Sequence, residues 1–494
     1  MPLVPITPPP GVKDAGTDLQ SSGRWLDASL VRWREGALRP VGGWRERVAN
    51  ATASPARGLI AWQDNDGDRW SAIGDATTLK VITGGGAVSD VTPAGLSAGL
   101  TDAAINTGYG GGYYGLGTFG TPRATTGTYS EVTTWALDTW GEDLIACSSA
   151  DGGLYQWDTS VGSATVAAII SGAPTGCASF VVTEERFLMA LGAASDPRLV
   201  KWSDQEDNNV WAAAATNQAG DFTLQTPGQI MCGTRMRGIT LILTDVDAHT
   251  ASYQGPPFVY GFQRIGSACG IISRKAVAVT DAGAFWMGAR GFFRTDGQAV
   301  QPIACDVFDK IFSDINEAQQ SKIWAMALAE FNEVWFFYPS QSGTEIDKYV
   351  SYDYARGIWS CGSLARTCGF SRGVFSYPNM AAPDLEIYEH EVGNNYDGGE
   401  VFAETAPFMM GEGDRMMMAK SLLTDEETQG SVSITFKTKA YANGDTDTHG
   451  PFTPQSPTDV RFTGRTVQMR VSGSSLSDWT VGRMRLDVSA RGRR

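Results

Sequence analysis

The chain has 494 residues, of which 42% are hydrophobic, only 19% are charged and 58 are glycine. This length exceeds that of one ordinary core, and a glycine-rich, weakly charged composition predicts an all-β protein with many turns. The formal net charge of −15 makes free DNA and anionic membranes poor partners for the body of the protein.

Cysteine usage and the chain start indicate the compartment of synthesis. Seven cysteines are scattered without a Cys-x-x-Cys pair, which disfavours a secreted disulfide framework, so we expect free thiols. The start lacks the charged and then apolar pattern of a signal peptide, and no stretch reaches the roughly 20 apolar residues of a membrane helix. We therefore expect synthesis in a cytoplasm and no stable membrane insertion.

Charge is distributed unevenly along the chain. Residues 461–494 contain eight arginines and two aspartates, and residues 1–50 contain seven basic and five acidic residues. Both ends carry net positive charge while the whole chain has a net charge of −15, so the region between the ends is strongly acidic. Such an asymmetry predicts a docking surface, or a contact between two regions of the chain.

Residues 1–56 are predicted to form an extended arm and a platform hairpin. The first 20 residues are proline-rich, and the stretch "GRWLDASLVRWREGALRPVGGWRE" (23–46) then alternates tryptophan with arginine around a turn at Glu35-Gly36. On a strand, Trp33 shares one face with Val31, and Arg32 lies on the opposite face with Arg34. We expect the aromatic side chains to pack inward and the arginines to face a neighbouring protein.

Residues 57–392 contain seven candidate units in which an apolar strand, a polar turn and a second strand recur. Their typical spacing of about 40 residues is that of β-propeller blades, so the sequence predicts a propeller. Unrelated hairpins in two sandwiches are the alternative. The units span 58–82, 135–158, 179–204, 238–255, 276–303, 325–362 and 369–392.

A glycine- and tyrosine-rich insertion, 107–127, separates the first two units. Its glycine content predicts a long flexible or ligand-facing loop and not a packed strand. It contains a Gly-x-Gly-x-x-Gly pattern, but without the flanking strand and helix of a dinucleotide site. Its candidate channel-lining or tip residues are Tyr109, Tyr113, Tyr114 and Phe119.

One helix is predicted, over 305–327. Asp306 or Cys305 would cap it weakly. Its apolar residues recur at helical spacing, at Val307, Phe308, Ile311, Phe312 and Ile315.

Residues 393–494 are predicted to form a separate β-sandwich-like platform domain. In the stretch after Gly430, polar side chains alternate strictly with apolar ones, as in an antiparallel sheet with one wet face. Ser433, Thr435, Lys437 and Lys439 fall on one face, and Val432, Ile434 and Phe436 fall on the other. The methionine-rich stretch 408–423 fits either an adaptable interface or a core strand.

The sequence contains only weak matches to known metal-binding patterns. Asp64, Asp66 and Asp68 alternate, but the glycine and the closing glutamate of a calcium loop are absent, so a hairpin tip is the better interpretation and a weak ion site stays open. The three histidines lack metal-ligand spacing. We expect no metal site and no cofactor.

An enzymatic alternative comes from "SSADGGLYQW" (148–157), which resembles the turn box of sialidase propellers through Asp151, Gly153 and Trp157. The arginine cluster of those enzymes is not identifiable, so we expect no enzymatic activity. A carbohydrate-binding or hydrolysing propeller, such as a receptor-binding tail module, remains the alternative, and a cellular scaffold propeller is a third hypothesis.

Three stretches together resemble the tail nozzle (tail hub or stabilisation) proteins of short-tailed bacteriophages. "RWLDASLVRWREGALRPVGGW" (24–44) resembles their W-x-D-x-x-x-V-R-F/W-x-x-G element followed by Gly-Gly-Trp, with Trp33 where phenylalanine is common. "GYGGGYYGLGTFGTPR" (108–123) is similar to their Gly-Tyr tracts. The final 36 residues, with Gly-Arg steps at Gly464-Arg465 and Gly482-Arg483, resemble their C-terminal paired strands.

The resemblance implies a non-enzymatic virion component. Such proteins form a homohexameric ring below the portal and its head-to-tail adaptor, extend the DNA channel and anchor tail fibres, spikes or a needle. Double-stranded DNA would pass without sequence-specific binding. The candidate adaptor or subunit contacts are Arg24, Arg32, Arg34, Arg465, Arg483 and Arg485.

Overall fold

The computed structural model describes residues 3–14, 16–17, 20–105, 129–411, 413, 415–425, 432–441, 444–473 and 478–492. These residues form a β-propeller and a smaller β-sandwich, which we call the platform. The predicted all-β fold, a propeller with a platform built from the terminal regions, is confirmed.

The propeller contains seven four-stranded antiparallel sheets within the described residues. Blade 1 comprises Gly58–Gln63, Arg69–Gly74, Leu79–Thr83 and Val88–Asp90; blade 2, Trp135–Trp140, Asp143–Ser148, Leu154–Trp157 and Ala168–Ile169; blade 3, Ser179–Val182, Leu188–Leu191, Leu199–Trp202 and Gly220–Thr223. Blade 4 comprises Ile230–Met236, Ile239–Thr244, Asp247–Gly255 and Val259–Ser267; blade 5, Val277–Thr280, Gly283–Gly288, Gly291–Thr295 and Val300–Ile303; blade 6, Trp324–Leu328, Glu333–Tyr338, Lys348–Asp353 and Ile358–Ser363.

Blade 7 closes the ring with a strand from the other end of the propeller segment. Its first three strands are Cys368–Phe370, Asn379–Ala381 and Ile387–His390, and its outermost strand is Trp44–Val48, which pairs with Ile387–His390. Trp44–Val48 was expected in the platform hairpin region, and the structure corrects this. The innermost strand of each blade contacts the innermost strand of the next, and blade 7 contacts blade 1.

The second strand of each blade lies in the core, because it is covered by its own sheet and by neighbouring blades. Gly283–Gly288 and Glu333–Tyr338 are buried at every residue. Apart from Glu333, these runs consist of apolar residues and glycine, as expected for strands buried on both faces. Large aromatic side chains such as Trp286 and Phe336 are fully buried there.

The platform consists of two sheets packed face to face. One sheet contains Leu3–Ile6, Met484–Ala490, Met417–Thr424 and Thr458–Gly464; the other contains Trp25–Ser29, Phe402–Thr405, Thr466–Gly473, Val432–Lys439 and Asp447–Phe452, with Phe408–Met409 beside Thr466–Gly473. Phe436 and Phe462 meet across the interface, with ring centroids 4.9 Å apart. The predicted alternation in Val432–Lys439 is confirmed, since every second side chain is buried.

Short elements complete the described fold. Val31–Arg34 and Ala37–Pro40 form a hairpin, Ala104–Ile105 pairs with Tyr129–Ser130, and short 3₁₀ helices cover Thr159–Ala164 and Ala329–Phe331. In the described residues no helix has the length and apolar character needed to cross a membrane. All seven cysteines are free.

The prediction of a long helix over 305–327 is wrong. The α-helix covers Phe308–Phe312 only, its N-cap residue Val307 makes no side-chain capping bond, and a 3₁₀ helix follows at Glu317–Lys322. The helix ends before Asn316, whose side chain accepts a hydrogen bond from Ala318 N and caps the 3₁₀ helix as a separate segment. The last predicted turn is the first strand of blade 6.

Candidate functional site

The hairpin Val31–Pro40 lies between the platform and the propeller, and we call this contact the joint. Arg32 is the centre of the joint and is only 9% exposed. Its Nη2 lies 3.2 Å from Glu333 Oε2 and 2.7 Å from Glu391 Oε1, and its guanidinium is 3.6 Å from the centroid of the Phe331 ring. Arg32 therefore binds its own chain, which corrects the expectation that it faces another protein.

The two carboxylates of the joint, Glu333 and Glu391, also accept hydrogen bonds from other groups of the chain. Trp335 Nε1 donates to Glu333 Oε2 at 2.9 Å, and Gly42 N donates to Glu391 Oε2 at 2.8 Å. Burial alone would lower the pKa of Arg32, but Glu333 and Glu391 outweigh burial and raise it above its ordinary value. Burial raises the pKa of the Glu333 carboxyl.

The motif tryptophans and glycines also belong to the joint. As predicted, the rings of Trp25 and Trp33 pack inward, with centroids 6.3 Å apart. The Gly42-Gly43 step fits closely against the chain after blade 7. A Cβ on Gly42 would lie 2.4 Å from Glu391 Cα, and one on Gly43 would lie 2.5 Å from Asn395 N, so neither position has room for a side chain.

A second buried cation lies at the closing strand of the propeller. Arg366 is positioned over the rings of Trp44 and Tyr388, at 4.9 Å and 4.5 Å, and its Nε donates to His390 Nε2 at 2.8 Å. Burial lowers the pKa of Arg366 to about 10. Burial and the nearby guanidinium hold the pKa of His390 well below its ordinary value, so the imidazole is the neutral acceptor in this bond.

The other predicted arginines lie in different environments. Arg34, Arg483 and Arg485 are exposed, Arg24 is partly buried, and Arg465 is 5.0 Å from the Tyr441 ring centroid. The structure brings the hairpin and the C-terminal strand together at one point, since Leu38 and Val481 exchange backbone hydrogen bonds of 3.0 and 2.8 Å. A cavity of about 480 Å³ beside this bridge is lined by Arg483.

The predicted loop residues Tyr109, Tyr113, Tyr114 and Phe119 lie outside the described residues. The two chain segments that lead into the insertion are described, and both pack beside the start of blade 6. Ala103 N donates to Gln319 Oε1 at 3.0 Å, and Tyr129 OH lies 3.3 Å from Ser321 Oγ.

The two acidic patterns singled out in the sequence serve local turns. Asp64 accepts hydrogen bonds of 2.8 Å from Asp68 N and from the Trp70 indole, and the Trp70 bond is the main cause of its lowered pKa. Asp151 accepts from Tyr155 OH at 2.8 Å and from Gly153 N at 3.0 Å. Among the residues that the structure describes, no three His, Cys, Asp or Glu side chains are grouped to hold a metal.

A cavity of about 480 Å³ lies on the axis of the propeller, and we call it the axial cavity. Residues at the innermost strands of all seven blades line it, so its shape follows from closure of the ring. Its lining is strongly basic for a chain of net charge −15. The charged lining residues are Arg57, Arg235, Arg274, Lys275 and Lys322 against one carboxylate, Asp138.

Two of the basic residues belong to one ion-pair network in the cavity wall. Glu345 Oε2 pairs with Arg57 and lies 3.4 Å from Lys322 Nζ, which also binds Asp102 Oδ1 at 2.5 Å and Thr344 O at 2.6 Å. Burial alone would raise the pKa of Glu345, but Arg57 and Lys322 outweigh it and hold this pKa below its ordinary value. The positive charge of this part of the wall is thus matched by carboxylates.

Two further cations are also paired. Arg274 Nε binds Glu131 Oε2 at 3.0 Å, and Arg235 Nη2 binds Asp138 Oδ1 at 2.7 Å. Glu131 and Asp102 flank the insertion, so the chain on either side of it supplies carboxylates to cavity cations.

Lys275 differs from its neighbours, because its Nζ has no hydrogen bond or ion pair to any described residue. The side chain is partly buried, and burial lowers the pKa of the ammonium. The nearby thiols of Cys232 and Cys368 are neutral, since burial raises the pKa of each to about 12. Among the described lining residues, Lys275 is therefore the cation without a carboxylate partner.

Sequence reasoning missed the axial cavity, although a pattern points to it. A basic residue stands one or two positions before the innermost strand in four blades, at Arg57, Lys275, Lys322 and Arg366. Because these strands run side by side around the axis, residues at this position meet at one end of the ring. Arg366 shows the limit of the pattern, since its side chain turns toward Trp44.

No protein-family model and no curated protein matches the sequence. Solved structures are similar at low identity: virginiamycin B lyase from Staphylococcus aureus (8% identity, 70% of this chain and 98% of that chain, TM-score 0.42) and PorZ from Porphyromonas gingivalis (12%, 84% and 44%, TM-score 0.36). A fungal alcohol oxidase in complex with copper is another (11%, 98% of each chain, TM-score 0.37). At these values the similarity says nothing about what this chain binds or catalyses.

Proposed function

We propose that the protein is a structural subunit of a bacteriophage tail, a nozzle subunit that assembles into a homohexameric ring below the portal and its adaptor. The observation that supports this most is the position of the motif residues. Trp25, Arg32, Trp33 and the Gly42-Gly43 step, which give the sequence its resemblance to nozzle proteins, all lie in the joint.

A rigid joint suits a subunit that must hold its place while DNA passes. The arm before the hairpin adds to this attachment, because Val12 N donates to Trp359 O at 2.8 Å and Lys13 Nζ lies 3.3 Å from Asp306. Lys310 Nζ also binds Asp27 Oδ1 at 2.6 Å. The platform is thus fixed to blade 6 and to the helix that precedes it.

The charge distribution is consistent with a subunit that lets DNA pass without binding it and that docks onto a partner through a basic surface. The chain carries a net charge of −15, which disfavours retention of phosphates. Arg483 and Arg485 are exposed on the platform and have no ion pair to a described residue. Basic side chains of this kind complement an acidic face on the adaptor or on the next subunit.

Assembly is the first test of this proposal. Mass photometry and negative-stain electron microscopy of the purified protein, alone and with the adaptor of the same phage, should show rings of six subunits. Monomers alone, even with the adaptor present, would overturn the proposal.

Charge reversal then tests the platform surface. The double variant Arg483→Glu/Arg485→Glu should weaken adaptor binding at least tenfold with unchanged folding, because both side chains are exposed. Arg290→Glu, in an exposed turn of blade 5, is the matched control and should bind normally. Truncation before Arg483 is unsuitable, because Met484–Ala490 pairs with strands on both sides in its sheet.

A further inference from the structure

Counted over the described residues, the axial cavity has one positive charge more than the carboxylates paired with its cations. Arg57, Lys322, Arg274 and Arg235 each bind a carboxylate, whereas Lys275 Nζ binds none among the described residues. Charged groups removed from water are normally paired, since desolvation of an unpaired ion is costly. We propose that the axial cavity binds a small organic anion whose carboxylate or phosphate group pairs with Lys275 Nζ.

The groups around Lys275 favour an anion from outside the chain. Asp138 is the carboxylate in the cavity lining, and it already binds Arg235 and accepts hydrogen bonds from Thr139 N and Val182 N. Cys232 and Cys368 also line the cavity and stay protonated. No described side chain is thus left to neutralise the ammonium.

Neighbouring cations strengthen the site for an oxyanion. Arg274 uses Nε and Nη1 for Glu131 and Ala178 O, and Arg235 uses Nη2 for Asp138. Both arginines line the same cavity as Lys275 and keep further N–H groups that can donate to a ligand. A charge-assisted hydrogen bond is about twice as strong as a neutral one, so an oxyanion is the preferred partner here.

Size and wall chemistry indicate an organic ligand. A volume of about 480 Å³ lies in the range of small-molecule pockets, roughly 300–1,000 Å³, and exceeds what a bare inorganic ion fills. The remainder of the lining mixes apolar residues such as Ile60 and Leu137 with hydroxyl residues such as Thr134, Ser179 and Thr234. The ligand class is therefore an oxyanion on a small organic body that fits a wall of apolar and hydroxyl groups.

Binding of two probe anions tests the proposal. Benzoate and phenyl phosphate are titrated into the full chain by isothermal calorimetry, with neutral benzamide as the isosteric control. At least one anion should bind at least tenfold more tightly than benzamide, and the stronger of the two shows whether the site prefers carboxylate or phosphate. Equal binding of benzamide and both anions, or no binding of any, would overturn the proposal.

Matched variants locate the binding site. Lys275→Met keeps the length of the side chain and should weaken binding of the better anion at least tenfold, while Lys275→Arg should retain most of it. Lys201→Met, on the third strand of blade 3, is the control and should bind as the wild type does. Unchanged affinity in a folded Lys275→Met variant contradicts the assignment, and the result does not depend on ring assembly.

Discussion

The joint and the axial cavity both place basic side chains inside the protein, but they differ in whether the basic side chain has a carboxylate partner. In the joint, Arg32 contacts two carboxylates of its own chain, Glu333 and Glu391. In the axial cavity, Lys275 has no such partner in the part of the chain that the structure describes. In the joint, the ion pairs neutralise Arg32 and hold the platform against the propeller. In the axial cavity, we propose that a bound anion neutralises Lys275.

The energetic consequences of the two arrangements are opposite. Removing one member of a buried ion pair leaves an uncompensated charge and strongly destabilises a fold. Removing an unpaired, partly desolvated ammonium relieves a destabilising group. Such groups are typical of functional sites, where stability is lost in favour of binding.

The largest effect is expected for Arg32→Met. This variant leaves Glu333 and Glu391 without their cation, so the free energy of unfolding should fall by about 3–5 kcal/mol. Denaturant unfolding followed by tryptophan fluorescence measures the change. Arg34→Met, two residues along the same strand but exposed, is the control and should stay within about 0.5 kcal/mol of wild type.

A loss below about 1 kcal/mol for Arg32→Met would contradict the assignment of Arg32 as the centre of the joint. It would also reopen the earlier expectation that this arginine serves a partner.

Blade order was predictable from the sequence, because each blade is a local run of apolar strands and polar turns. The closing strand Trp44–Val48 was not predictable in this way, since its partner Ile387–His390 is more than 300 residues away. Periodicity also overestimated the helix at 305–327, because apolar spacing cannot reveal that Asn316 starts a new segment.

The candidate site was predictable only in part. Alternation correctly placed Val31 and Trp33 inward, but the arginines on the opposite strand face were expected to contact a neighbouring protein. Arg32 instead packs against the propeller of its own chain and is buried, whereas Arg34 on the same face is exposed. The axial cavity forms from seven segments that are distant in the sequence. Sequence patterns do not show which of its basic residues pair with carboxylates once the ring has closed.

An intermediate effect is expected for Glu345→Gln, which removes the carboxylate shared by Arg57 and Lys322. At pH 7 this variant should be less stable by about 1–3 kcal/mol, because charged partners lose their acceptor. The pKa of Glu345 is lowered in the folded chain from an ordinary value of 4.5. The stabilisation is therefore present above pH 4.5 and is lost as the pH falls through the folded-state pKa.

Denaturant unfolding of wild type and Glu345→Gln between pH 7 and pH 3 tests this pH dependence. The difference between the two proteins should shrink toward acid pH. Glu330→Gln, which removes an exposed ion pair with Arg372, should differ little from wild type at any pH. A difference that stays constant down to pH 3 would show that the Glu345 charge is not what stabilises the cavity wall.

The smallest effect, and the one of opposite sign, is expected for Lys275→Met without ligand. The methionine side chain has similar length and buries no charge, so the variant should be as stable as wild type or more stable by up to about 2 kcal/mol. Lys201→Met should stay within about 0.5 kcal/mol of wild type. A loss above 1 kcal/mol for Lys275→Met would mean that the chain itself satisfies this ammonium, and Lys275 would then belong with Arg32 as a structural cation.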